Sequence, residues 1–125
     1  MLARDPRDFR ALGVALVLLA ALPPSVLAHA IVLESDPTDG STTHAPRRLT
    51  LHFNSRVEKQ LCSVSLTGPQ RRGRVRLRQE SSPSGDVLIY ALPDLSPGTY
   101  QARWKVLSAD GHLTEGAVRF VVDGQ

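Results

Sequence analysis

Asp110 and His112 stand two residues apart in the run Ser108-Ala109-Asp110-Gly111-His112, and a further histidine, His29, lies far upstream. In extended backbone the side chains of residues i and i+2 leave the same side of the chain, and the intervening Gly111 lets the chain turn without steric cost. A carboxylate and an imidazole placed this way have the types and spacing of metal ligands, although an Asp-Gly pair is also ordinary turn chemistry and His112 equally fits an exposed loop. His29 directly follows Val26-Leu27-Ala28, a small-residue ending of the kind cut by an export peptidase. A cut there makes His29 the first residue, with an α-amine and an imidazole that close a chelate ring on one ion. The ordinary pKa of an α-amine, about 7.7–8.0, is low enough for a divalent metal to displace its proton near neutrality. Three nitrogens and one oxygen suit tetragonal copper(II) better than tetrahedral zinc, and Asp110 offsets one of the two positive charges.

The chain upstream of His29 is what makes such a terminus possible. Arg4, Arg7 and Arg10 form a positive start diluted by Asp5 and Asp8, Ala11 to Leu22 is an uninterrupted run of apolar residues and Gly, and Pro23-Pro24 ends it. That order is a secretory signal peptide, 1–28, and the apolar run is short for a membrane span. The overlapping Ala28-His29-Ala30 offers a second cut before Ile31, which would discard His29, and sequence rules leave both open. The first cut takes 28 of the 125 residues and leaves 97, 29–125, enough for one modest core. It also removes three Arg and two Asp, lowering the formal net charge from +3 to +2. A mildly basic exported chain gives little reason to expect a nucleic-acid partner. The single cysteine, Cys62, has no internal partner, so packing rather than disulfides must hold the fold.

The elements that must carry these residues are strands. Beyond the leader the chain alternates with a period of two and shows no helical period. Strands are expected at His29 to Leu33, Arg48 to Asn54, Leu61 to Thr67, Arg74 to Arg78, Asp86 to Leu92, Thr99 to Ser108 and Ala117 to Val122, with Gly, Pro and Ser turns between. In the longest, Tyr100, Ala102, Trp104 and Val106 face inward while Gln101, Arg103 and Lys105 face out. About seven short strands predict an all-β fold, a Greek-key antiparallel β-sandwich or flattened barrel of immunoglobulin-like type. Tyr100, just after Pro97-Gly98, has the placing of a tyrosine corner, whose hydroxyl bonds back to upstream backbone.

His29-Ala30 with Ser35, Pro37 and Gly40 just after a leader resembles the mature start of CopC-type periplasmic copper-binding proteins. Pro97-Gly98, Tyr100, Trp104, Val106 and Ser108-Ala109-Asp110-Gly111-His112, followed by Gly116 and Phe120, resemble that family's most distinctive block. The likeness spans essentially the whole mature chain and is weakest in its middle. It implies a Greek-key β-barrel or sandwich that binds one copper(II) outside the cytoplasm through the amine and imidazole of His29, the carboxylate of Asp110 and the imidazole of His112. Two departures stand out. Where some members read Phe-Ser-Glu, with the Glu near the site, this chain reads Phe53-Asn54-Ser55, which leaves Asn54, Ser55 or Glu58 as neighbours. Members with a copper(I) site use a Met-rich loop, but the sole methionine here is Met1, so a copper(II)-only protein is expected.

Other candidates read more simply. His52 shares a strand face with Thr50 and Asn54 and is expected to be solvated. His44 sits in a loop, and Cys62 shares its parity with Val64 and Leu66 as a buried small hydrophobe. The series Arg71, Arg72, Arg74, Arg76, Arg78 reads as a solvated strand face. Ser108, Asp110 and His112 have the types of a hydrolase triad but lie on one short segment with no nucleophile elbow. The sequence thus predicts a non-enzymatic periplasmic copper carrier, monomeric or weakly dimeric, that sequesters copper or passes it to a membrane importer on a separate chain. Two alternatives predict different chemistry. N-terminal histidine copper sites also resemble those of lytic polysaccharide mono-oxygenases, and a metal-free sandwich for adhesion or assembly needs none of the three ligands.

Overall fold

The computed structural model describes residues 29–69 and 73–124; the expected leader, 1–28, lies outside the described residues. The described residues form nine strands: β1 (Val32–Asp36), β2 (Ser41–Thr43), β3 (Arg48–Phe53), β4 (Ser63–Thr67), β5 (Val75–Arg76), β6 (Arg78–Glu80), β7 (Val87–Ala91), β8 (Gly98–Leu107) and β9 (Leu113–Val122). One 3₁₀ turn, Lys59–Leu61, precedes β4. The strands form a four-stranded sheet in the order β1-β3-β7-β6 and a five-stranded sheet in the order β2-β9-β8-β4-β5. Strands remote in sequence are interleaved in both, and pairing is antiparallel except for the short parallel contact of β2 with β9. No helix among the described residues is long and apolar enough to cross a membrane.

Period-two patterning puts one face of each sheet into a shared core. Leu49, Leu51 and Phe53 on β3 and Leu88 and Tyr90 on β7 meet Val64, Leu66, Ala102, Trp104, Val106, Val118 and Phe120 from the other sheet. Each fully buried Leu, Val or Phe contributes about 1.5–3 kcal/mol, which a chain lacking disulfides must obtain this way. Trp104 packs edge-on against Phe53 across the two layers, with ring centroids 5.4 Å apart. The tyrosine corner is present: the Tyr100 hydroxyl donates to the Ser96 carbonyl at 2.7 Å, and its ring stacks on Phe120. Cys62 is buried, and burial pushes its thiol pKa up.

Three differences from the sequence reading bear on the site. The first strand runs over Val32–Asp36 rather than from His29 to Leu33, because a bulge between Val32 and Glu34 shifts its register on β3. Residues 29–31 are therefore an arm leading into β1, anchored by Ala30, which is buried in the core. The Arg74 to Arg78 stretch is two strands in two sheets, not one. Val75–Arg76 pairs with β4, Leu77 is buried and donates its N–H to the Val64 carbonyl at 2.9 Å, and Arg78–Glu80 pairs with β7. The last strand begins four residues earlier than expected, at Leu113, since β9 follows β8 in an unbroken ladder from Leu107↔Leu113 to Gly98↔Val122. That ladder fixes Ser108 to His112 as the loop at one end of the sandwich.

Candidate metal centre

The loop joining β8 to β9 is a tight turn built from its own polar groups. The Ser108 N–H donates to the His112 carbonyl at 2.9 Å and the Gly111 N–H to the Ser108 carbonyl at 2.9 Å. Gly111 has φ +90°, a left-handed conformation that a side chain would strain. Ser108 is buried, and its hydroxyl donates to Asp110 Oδ1. The His112 N–H donates to the same Oδ1 at 3.2 Å, and His112 Nδ1 lies 3.1 Å from Asp110 Oδ2. The Ser108 hydroxyl, then the His112 ring and then the His112 N–H hold the Asp110 carboxyl at about 2. Asp110 is thus ionised near neutral pH and well into the acid range.

A second segment braces this hairpin from below. The Glu58 N–H donates to the Leu107 carbonyl at 2.8 Å, the Ala109 N–H donates to the Arg56 carbonyl at 3.1 Å, and Val57 forms an isolated bridge with Ser108. The same stretch, at its start, holds the arm. Asn54 Oδ1 accepts from the Ile31 N–H at 2.8 Å, the Asn54 N–H donates to the Ile31 carbonyl at 2.9 Å, and Asn54 Nδ2 reaches the His29 carbonyl at 3.5 Å. By this clasp the arm brings the His29 ring to 6.3 Å from the His112 ring, centroid to centroid, at an interplanar angle of 67°.

The structure therefore gathers the three residues singled out by sequence at one exposed end. Two imidazoles bound on opposite sides of one ion, with metal–nitrogen bonds of about 2.0–2.1 Å, have centroids about 6 Å apart. The observed separation fits that arrangement, and Asp110 stands beside His112. Among the described residues no three His, Cys, Asp or Glu side chains are already closed around a common point. Ligation requires side-chain rotation, which the half-exposed His112 and Asp110 permit.

The remaining histidines do not join the cluster. His52 is half-buried rather than simply solvated, and its Nε2 is 3.0 Å from Asp86 Oδ2. Hydrogen bonds from Ser84 and His52 lower the Asp86 pKa. His44 pairs with Asp123 at 2.9 Å, at the end of β9 away from the loop. Two residues near the site went unassigned in the sequence. Ser108 holds Asp110, a role its Ser-x-Asp spacing in a turn signals. Asn54, noted merely as a neighbour, is the anchor of the arm; its pairing across 23 residues leaves no local signal.

The fold is a small antiparallel sandwich with two histidines and a carboxylate gathered at one end, His29 on the arm before β1 and Asp110 and His112 on the β8–β9 loop. Residues 32–123 match the model of the CopC domain. The chain belongs to the CopC family. It is 31% identical over 123 residues to Copper resistance protein C of Xanthomonas campestris pv. juglandis, a match covering 91% of this chain and 97% of that one. It is 33% identical over 118 residues to Protein YobA of Escherichia coli K12, covering 90% and 95% of the two chains. Among solved structures, CopC from Methylosinus trichosporium OB3b superposes with a TM-score of 0.69 at 26% identity, covering 78% of this chain and 96% of that one.

Proposed function

We propose that the protein is exported by residues 1–28, cut before His29, and binds one copper(II) in the periplasm through the His29 amine and imidazole, Asp110 and His112. The observation that carries this reading is the 6.3 Å approach of the His29 and His112 rings with Asp110 3.1 Å from His112. Two of its relatives are named Copper resistance protein C, which supports copper as the ion. Hard nitrogen and oxygen donors support the divalent state, since copper(I) prefers soft sulfur ligands. The site sits on an open end and not in a closed cage. That arrangement suits an ion that must enter and leave, so the protein acts without turnover as a store or as a carrier to a separate membrane importer.

The test is native mass spectrometry of the exported protein after equilibration with one equivalent of copper(II). A mass beginning at His29 with one retained copper is the expected result. A mass beginning at Ile31, or one beginning at His29 that retains no copper, overturns the reading. His112→Ala should weaken retention severely with an unchanged fold, because the residue is exposed, and unchanged copper affinity in that variant would reject the assigned ligands.

A further inference from the structure

The outer face of the five-stranded sheet carries a charge pattern that the metal site does not use. Strand register places Arg103 and Lys105 of β8, Arg119 of β9 and Arg76 of β5 on this face, with Arg74 at its edge. All five are exposed. Two acids neighbour them among the described residues: Glu115, 3.7 Å from Lys105, and Asp39, whose Oδ1 accepts from the Arg119 backbone N–H at 2.8 Å. Among the described residues Arg74, Arg76, Arg103 and Arg119 form no ion pair. The opposite sheet behaves differently: there Arg48 and Arg78 both lean on Glu80, at 2.9 and 3.8 Å. An excess of cations over acids on one face only, five against two, is not explained by solubility, which either face would serve.

The shape of the face narrows what it can receive. Arg74, Arg103, Lys105 and Arg119 line a depression of about 590 Å³ together with Ser63, Ser65 and Gln101, and Glu115 and the ring of Trp104 also reach it. Guanidinium groups grip carboxylates in two-pronged fashion, and hydroxyl and amide groups between them supply further hydrogen bonds. The exposed large apolar residues on β9, Leu113 and Val121, stand at its two ends and not among the cations. Amphipathic elements that rest on a bilayer bury an apolar face in it; this surface is a depression lined mainly by cations, hydroxyls and an amide. We infer that this depression docks an acidic, extended segment of a protein partner, with Arg103 and Arg119 as its principal contacts.

The experiment uses the exported protein and two probes: a fluorescein-labelled oligoglutamate peptide, read by anisotropy, and phosphatidylglycerol-containing vesicles, read by co-sedimentation. The peptide is expected to bind and to weaken steeply between low and physiological salt. Arg103→Gln with Arg119→Gln should weaken it about fivefold for each charge removed. Arg47→Gln, which removes an equally exposed charge elsewhere, should leave it unchanged. The thermal midpoints of the variants should match that of the parent. No peptide binding, binding insensitive to the Arg103 and Arg119 changes, or equal sensitivity to Arg47→Gln each overturns the inference. So does vesicle binding that matches or exceeds peptide binding, since the face would then read lipid charge. Copper(II) retention should be untouched by these changes, so docking and metal binding fail or stand separately.

Discussion

Replacing Asn54 with Ala cuts the link between the N-terminal arm and the hairpin brace while touching none of the proposed ligands. The Ala variant keeps the backbone bond from residue 54 to the Ile31 carbonyl at 2.9 Å and loses the one from the Ile31 N–H to Asn54 Oδ1 at 2.8 Å. The contact to the His29 carbonyl, at 3.5 Å, is too long to add much. One neutral hydrogen bond contributes about 1 kcal/mol net. If that bond holds the arm in its binding position, copper(II) affinity should fall about fivefold, since about 1.4 kcal/mol corresponds to tenfold. The assay is competitive copper(II) titration at constant pH, paired with hydrogen exchange at the Ile31 amide, which should speed up in the apo variant. Asn54→Asp keeps the acceptor oxygen and should recover parental affinity or better. Unchanged affinity in Asn54→Ala, or an Asp variant that behaves like the Ala variant, would refute the clasp.

Three further outcomes follow from the packing and charges described above. In Gly116→Ala the new Cβ would run into the Trp104 ring, which is buried against Phe53. Overpacking of this kind costs about 1–3 kcal/mol, or about 4–8 °C of midpoint per kcal/mol in a domain this small. Thermal melts followed by the fluorescence of Trp104, the chain's sole tryptophan, should record that loss, and an unaltered melt contradicts the close contact. The Tyr90 hydroxyl is buried with no hydrogen-bond partner among the described residues, and burial pushes its pKa up to about 12. Tyr90→Phe should leave urea stability unchanged or raise it by up to about 1 kcal/mol; a clear loss would mean the hydroxyl has a partner. The Asp110 carboxyl, held at about 2, lends the apo fold stability that is complete above its ordinary value of about 3.9 and drains as pH falls toward about 2. The stability gap between the parent and Asp110→Asn should therefore shrink over that interval in apo denaturation experiments, and a constant gap would contradict the hydrogen bonds drawn to that carboxylate.

Alternation made most of this fold legible, because each strand with one buried face announces itself. The Leu49, Leu51, Phe53 set and the Tyr100 to Val106 set face inward as their parity requires. Arg74 to Arg78 shows where that signal ends. Leu77 is buried under either arrangement, so parity alone does not separate one strand from two strands that cross between sheets at that residue. β2 left no trace, being three polar residues that pair in parallel with β9 after a turn. The proposed ligands were visible from their types and spacing. What positions them was visible only in part: the Ser108 hydroxyl on Asp110 is a local turn contact, whereas the Asn54 clasp depends on how β1 and β3 lie together.

The buried thiol of Cys62 has a consequence for redox chemistry. Its Sγ donates to the Glu58 carbonyl at 3.2 Å, in the same short segment that braces the hairpin loop. Copper(II) is a one-electron oxidant, and the species it oxidises fastest in a protein is an accessible thiolate. Burial here both shields the sulfur and keeps it protonated by raising its pKa. A cysteine at the end of the molecule that would carry the ion is thereby chemically silent. A thiol held this way is a poor reductant for an oxidising metal and a poor partner for an intermolecular disulfide.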